Sequence, residues 1–189
     1  AVDSVLPQCK DLGVGIHLNI TEGSSLCTDL SLSLVNEHGK FNNNYFEILY
    51  KAYNPKEKDF LSELEREFRR QIEKVTHIDS HNHIHAIPRI FDMVCRLAKE
   101  YGIKQERTHF ERFYIIPDVK KHIKLKFLLN VLRMMFFEII TIYNETLIHK
   151  YELKTNDYLL GLIYDTDVDA LTVSYGVSSV KYDKAVVEA

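Results

Sequence analysis

The sequence predicts an α/β fold organised on a parallel sheet. Short apolar strand candidates alternate with segments of helical periodicity, the order that βαβ units require. The composition, 46% hydrophobic and 27% charged over 189 residues, is that of an ordinary globular chain. It excludes disorder, collagen and coiled coil as the overall architecture. The length fits a single domain, residues 1–189, and is small for a whole α/β barrel.

The elements follow in order. Val14 to Leu18 reads as a buried strand, and the polar stretch from Gly23 to Asn44, ending in three consecutive asparagines, as an excursion loop. A helix is predicted from Lys56 to Val75. Asn54 stands as its cap, Pro55 at its first position and Glu57 three residues after the cap. Phe60, Leu61, Leu64, Phe68, Ile72 and Val75 give this helix one apolar stripe, and Glu65 can pair with Arg69. His77 to His81 is a strand, and Pro88 to Tyr101 a helix stopped by Gly102, with Phe91, Val94, Cys95, Ala98 and Tyr101 inward. Ile103 to Thr108 is a strand and Lys120 to Phe137 a helix. Phe127 to Tyr143 is the most apolar stretch. Asn130, Arg133 and Glu138 interrupt it, so it reads as a buried helix rather than a membrane span. Tyr158 to Ile163 and Ala185 to Glu188 complete the strands, with no internal repeat and no second-domain boundary.

Charge and cysteine usage narrow the function classes. Twenty-four Lys and Arg against 27 Asp and Glu leave a formal charge of −3, without the clustered basic surface that nucleic-acid binding needs. Cys9, Cys27 and Cys95 are odd in number, far apart and form no CxxC, which points to a reducing, cytoplasmic setting. No signal peptide is visible in a chain that begins at Ala1.

The chemistry concentrates in His77-Ile78-Asp79-Ser80-His81-Asn82-His83-Ile84-His85. In an extended segment His77, Asp79 and His81 share a face, and imidazoles beside a carboxylate at a strand end suit a divalent cation. The plain alternative is a polar loop that caps the following helix. A second segment, Gly13-Val14-Gly15-Ile16-His17-Leu18-Asn19-Ile20-Thr21-Glu22-Gly23, turns polar only at its end. Taken alone, His17 reads more simply as a core histidine than as a ligand.

Together these two segments resemble the YdjC-like carbohydrate deacetylase family, which includes chitooligosaccharide deacetylase. The resemblance implies that His17 and His81 bind one divalent metal ion, magnesium or zinc. Arg107-Thr108-His109-Phe110-Glu111 is similar to the family's R-x-x-x-E segment and implies that Arg107 and Glu111 act in the substrate site. Leu153 to Gly161 is similar to a later family segment. Asp79 is expected to orient a metal-bound imidazole or to hold backbone at the strand end, and an Arg107–Glu111 ion pair is the structural alternative for those two residues. Asn19, His83 and His85 are expected to face substrate. The implied fold is a deformed, TIM-barrel-like β/α arrangement, incomplete in this chain. The implied substrate is an N-acetylated sugar, with no nucleic-acid or membrane partner. Tyr45, Tyr50 and Tyr53, read as loop residues, offer ring faces for sugar stacking but read more simply as ordinary loop tyrosines.

Two departures from the family pattern shape the expectation. No Asp-Asp-Phe-Gly occurs, and the chain stops at Ala189, where a His-Pro-Gly segment would begin. The chain therefore reads as the central portion of a longer enzyme, expected alone to bind metal weakly, to deacetylate negligibly and to self-associate through exposed edges as a homodimer or aggregate. The rivals are an amidohydrolase-type metal hydrolase, suggested by His81-Asn82-His83, and an inactive truncated homologue acting as a binding scaffold. Phe136, Phe137, Ile139 and Ile140 read as core or as a subunit contact.

Overall fold

The computed structural model describes residues 14–31, 33–72, 77–122, 124–165, 167–180 and 186–188. The chain forms two compact units, one of residues 1–85 and 96–105, the other of 86–95 and 106–189.

In the first unit, β1 (Gly15–Leu18) and β2 (His77–Ser80) run parallel, with Gly15 opposite His77, His17 opposite Asp79 and Leu18 opposite Ser80. β3 (Gln105–Glu106), which begins in this unit, follows β2 in a three-stranded order β1-β2-β3. Ile78 and Ser80 are buried while His77 and Asp79 on the other face are half-buried, the two-residue alternation of a strand. Gly15 has a specific reason to be glycine. A Cβ there would stand 2.0 Å from Nε2 of the His77 ring.

Two helices pack in this unit, and their boundaries differ from expectation. α1 (Tyr45–Tyr53) starts where Asn44 and Glu47 form a capping box, the Asn44 side chain accepting the Glu47 N–H and the Glu47 carboxylate accepting the Asn44 N–H. Tyr45, Tyr50 and Tyr53 are therefore helical, not loop residues. Asn54 ends α1 by donating its N–H to the Tyr50 carbonyl, and its side chain then accepts the Lys56 N–H. That turn occupies the residues expected to open the next helix, so α2 runs only over Phe60–Gln71, with Asp59 at its cap. The expected end, Val75, lies outside the described residues. The stripe itself is as read, with Phe60, Leu64 and Phe68 buried.

The segment after β1 is pinned by a buried carboxyl group. Glu67 is completely buried on α2 and accepts the N–H groups of Leu26 and Cys27 and the side-chain amide of Gln71. The Gln71 amide in turn bonds both backbone groups of Asn19. Leu34, Val35 and Phe41 anchor the excursion in the core.

α3 (Pro88–Tyr101) matches its expected limits, but Tyr101 is exposed rather than inward because it ends the helix at Gly102. In the second unit Phe91 and Cys95 of its first half cluster with Leu147 and Ile148. The expected third helix is instead a short turn, α4 (Val119–His122), followed by the 27-residue α5 (Leu125–Tyr151). α5 ends at Glu152, which takes the left-handed conformation at φ 59° and returns its N–H to the Ile148 and His149 carbonyls. The expectation of a buried helix fails here. Met134, Phe137, Leu147 and Ile148 are buried, but Phe136 and Ile139 face outward among a row of exposed apolar residues. β4 (Tyr158–Leu159) and β5 (Val187–Glu188) form a second parallel pair, shorter than expected, and Asp169 caps α6 (Ala170–Ser179) with Thr172. Among the described residues no helix is long and apolar enough to cross a membrane.

Candidate functional site

Strand register brings the first two site residues together. Because β1 and β2 are parallel with His17 opposite Asp79, both side chains leave the same face, and His17 Nδ1 lies 2.8 Å from Asp79 Oδ1. β2 ends at Ser80, and the chain turns into a 3-10 segment (His81–Ala86) with Asn82 and His83 left-handed at φ 52° and 58°. That turn leaves His81 beside His17, ring centroids 5.5 Å apart and nearly perpendicular, with His17 Nε2 3.4 Å from His81 Nδ1. A second carboxylate completes the group. His81 Nε2 hydrogen-bonds Glu22 Oε1 at 2.5 Å.

The protonation pattern follows from these partners. Asp79 draws the His17 proton to Nδ1, and Glu22 draws the His81 proton to Nε2. The remaining two ring nitrogens then turn lone pairs toward one another, an arrangement that favours a shared cation. Their 3.4 Å separation is less than twice the ~2.1 Å zinc–imidazole bond, so one ion can touch both. Both imidazoles are partly open, with side-chain exposures of 51% for His17 and 35% for His81, so an ion would reach solvent. Among the described residues, no group of three or more His, Cys, Asp or Glu is placed to hold a metal. The described residues thus place two imidazoles that could hold an ion, each beside its own carboxylate.

The other expected site residues serve varied roles. Asn19 makes the turn after β1, its Oδ1 accepting the Thr21 N–H at 2.9 Å and its Nδ2 donating to the Glu22 carbonyl. It thereby sets the backbone from which Glu22 reaches His81. His85 is fully buried, its Nδ1 against the Ser80 hydroxyl and its N–H donated to the same oxygen, so it anchors the turn in the core. His83 is half-buried at the left-handed bend. Arg107 and Glu111 belong to the second unit. Glu111 is completely buried, and its two oxygens accept the N–H groups of Gly161 at 2.6 Å and Ile163 at 2.8 Å. Burial raises its carboxyl to about 7 although those donors pull the other way. Glu22 is the residue that the sequence reading passed over. Its only signal was its place in Thr21-Glu22-Gly23, directly after the polar end of β1.

The family described as YdjC-like protein matches residues 1–184. The chain belongs to the YdjC-like family. It is 36% identical over 113 residues to a carbohydrate deacetylase of Oceanobacillus iheyensis, covering 54% of this chain and 46% of that protein. A Brevibacillus brevis carbohydrate deacetylase is 38% identical over 99 residues, 49% of this chain and 36% of the relative. A third, from Geobacillus stearothermophilus, is 36% identical over 109 residues, 58% and 43%. The matches thus span less than half of each of these YdjC-like relatives. In fold, the chain is similar to a crystal structure from Enterococcus faecalis V583 provisionally described as a cellobiose-phosphate cleavage protein. The TM-score is 0.59 at 18% identity, over 99% of this chain and 62% of that one.

Proposed function

We propose that this YdjC-like chain carries the imidazole part of the site of a metal-dependent carbohydrate deacetylase, acting on N-acetylated sugars of the chitooligosaccharide type within a TIM-barrel-like framework. The observation that carries the reading is the facing pair His17 Nε2 and His81 Nδ1, each backed by a carboxylate. The names of the curated relatives point to the same reaction class.

A divalent ion bound there would polarise the acetamide carbonyl and lower the pKa of an attacking water. His17 and His81 would hold the ion, and Asp79 and Glu22 would keep the two rings in the required tautomers. Both imidazoles are neutral in this state, so the charge on the ion is left undiminished for the substrate. General-base help is worth about 10²–10⁴-fold. Neither nearby carboxylate is free to supply it while it holds an imidazole N–H, so turnover by these residues alone is expected to be slow.

The test pairs two measurements on the 189-residue chain: acetate release from N-acetylglucosamine oligomers with and without added zinc, cobalt or magnesium, and zinc binding by competition with an indicator. The proposal predicts slow release that needs metal and stops with a chelator, and zinc binding that His17→Ala removes. Acetate release indifferent to both chelator and substitution would contradict it.

A further inference from the structure

Two side-chain amides stand in series behind His81, all within the first unit. Gln71, the last residue of α2, donates from Nε2 to the Asn19 carbonyl at 2.8 Å and accepts the Asn19 N–H on Oε1 at 3.0 Å. Asn19 follows β1 directly, and the amide pairs with both of its backbone groups as a neighbouring strand would. Asn19 then repeats the device. Its Oδ1 accepts the N–H groups of Thr21 at 2.9 Å and Glu22 at 3.4 Å, and its Nδ2 donates to the Glu22 carbonyl at 2.9 Å. Each amide thus holds both backbone groups of the next residue in the series, and the Glu22 carboxylate ends it on His81 Nε2.

The buried end sets the orientation of the first amide. Glu67 is completely buried and acts as acceptor to the N–H groups of Leu26 and Cys27, so Gln71 must turn Nε2 toward it, at 2.8 Å. Both Nε2 hydrogens are then spent, one on Glu67 and one on the Asn19 carbonyl, which leaves Oε1 for the Asn19 N–H. The far end is the opposite case. The Glu22 side chain is 69% exposed and loses rotamer freedom by staying on His81, so its reach depends on where its backbone stands. The same turn touches the residue after His81, where Asn82 donates from Nδ2 to Thr21 Oγ1 at 3.3 Å. We infer that Gln71 and Asn19 are positioning residues for His81, acting in series through Glu22. They fix the backbone from which the Glu22 carboxylate keeps the His81 proton on Nε2 and leaves Nδ1 open toward His17. What that open nitrogen is for rests on the metal reading proposed above. His17 lies outside the series, because Asp79 on the paired strand holds its Nδ1.

Heteronuclear NMR of the histidine ring nitrogens in the metal-free chain tests the inference, with both rings neutral. His17→Ala and His81→Ala assign the signals, and far-UV circular dichroism checks the fold. The wild type should show His81 as the Nε2–H tautomer and His17 as the Nδ1–H tautomer. Gln71→Met keeps the length of the side chain without its amide, and should turn His81 into a mixture of tautomers while His17 stays as it was. Asn19→Ala, which spares the backbone contact between α2 and β1, should do the same. Glu22→Ala should give the His81 change by itself, and adding Gln71→Met should add nothing. Zinc affinity, read by indicator competition, should fall about tenfold for Gln71→Met and fall no further when Glu22→Ala is already present. Zinc that does not bind the wild type would contradict the metal reading, and the metal-free rings would still decide the relay. An unchanged His81 signal in either folded variant, a change shared equally by His17, or a further loss on top of Glu22→Ala would overturn it.

Discussion

His17 and Asp79 occupy paired positions on β1 and β2, so the orientation of one imidazole is a consequence of strand register. A carboxylate that orients a ligating histidine typically contributes 10–100-fold to metal affinity. Asp79→Asn is accordingly expected to weaken zinc binding by about that factor with little loss of fold, measured by indicator competition; unchanged affinity would remove Asp79 from the orienting role. Gly15 makes a second, sharper prediction. The His77 ring lies where a Cβ would go, at 2.0–2.6 Å, so Gly15→Ala must displace that ring or the strand. Overpacking of this kind costs about 1–3 kcal/mol, readable as a lowered urea midpoint, and an unchanged midpoint would show that the ring moves freely. At this scale alternation and a strand end, both local properties, were enough to set Asp79 and His81 side by side, whereas His17 taken alone read as a core histidine and was joined to them only by the family resemblance. The sequence was uninformative for Glu22, whose contact with His81 depends on a turn built by Asn19 and on a residue 59 positions away, just past the end of β2.

Among the elements, caps decided what periodicity left ambiguous. Asn44 read as the end of a loop and Asn54 as a helix start; the reciprocal Glu47 contact instead makes Asn44 the cap of α1, which Asn54 ends. Asn44→Ala should therefore cost about 1 kcal/mol, whereas Asn54→Ala should cost less, a comparison that chemical denaturation can make directly. Glu111 ties the segment that follows β3 to Gly161 and Ile163 and gives the second unit a pH dependence. Its carboxyl lies at about 7 in the fold and at the ordinary 4.5 when unfolded. Between those limits the folded chain keeps a proton that the unfolded chain loses, so this group's contribution to stability falls as pH rises from about 4.5 to about 7 and is flat above. The full loss is on the order of 3 kcal/mol, and Glu111→Gln should flatten the slope between about pH 4.5 and about pH 7. Parallel curves for the two proteins would contradict the assignment. The α5 helix shows where hydropathy misleads: apolar residues on both faces read as burial from sequence, while among the described residues one face is covered and the other exposed.

For the molecule as a whole, strand and helix alternation was legible and strand length was not. Val14 to Leu18 and His77 to His81 were read to within a residue because their ends carry polar residues, whereas Tyr158 to Ile163 shrank to two residues once Glu111 took the N–H groups of Gly161 and Ile163. The proposed chemistry rests on family membership and on the facing imidazoles together, and its central claim is that His17 and His81 share a cation. The most direct measurement is zinc stoichiometry by indicator competition for the wild type, His17→Ala and His81→Ala. The account predicts one equivalent of zinc in the wild type that is missing from both variants, with their folds intact by circular dichroism. Identical binding curves for the three proteins would contradict it.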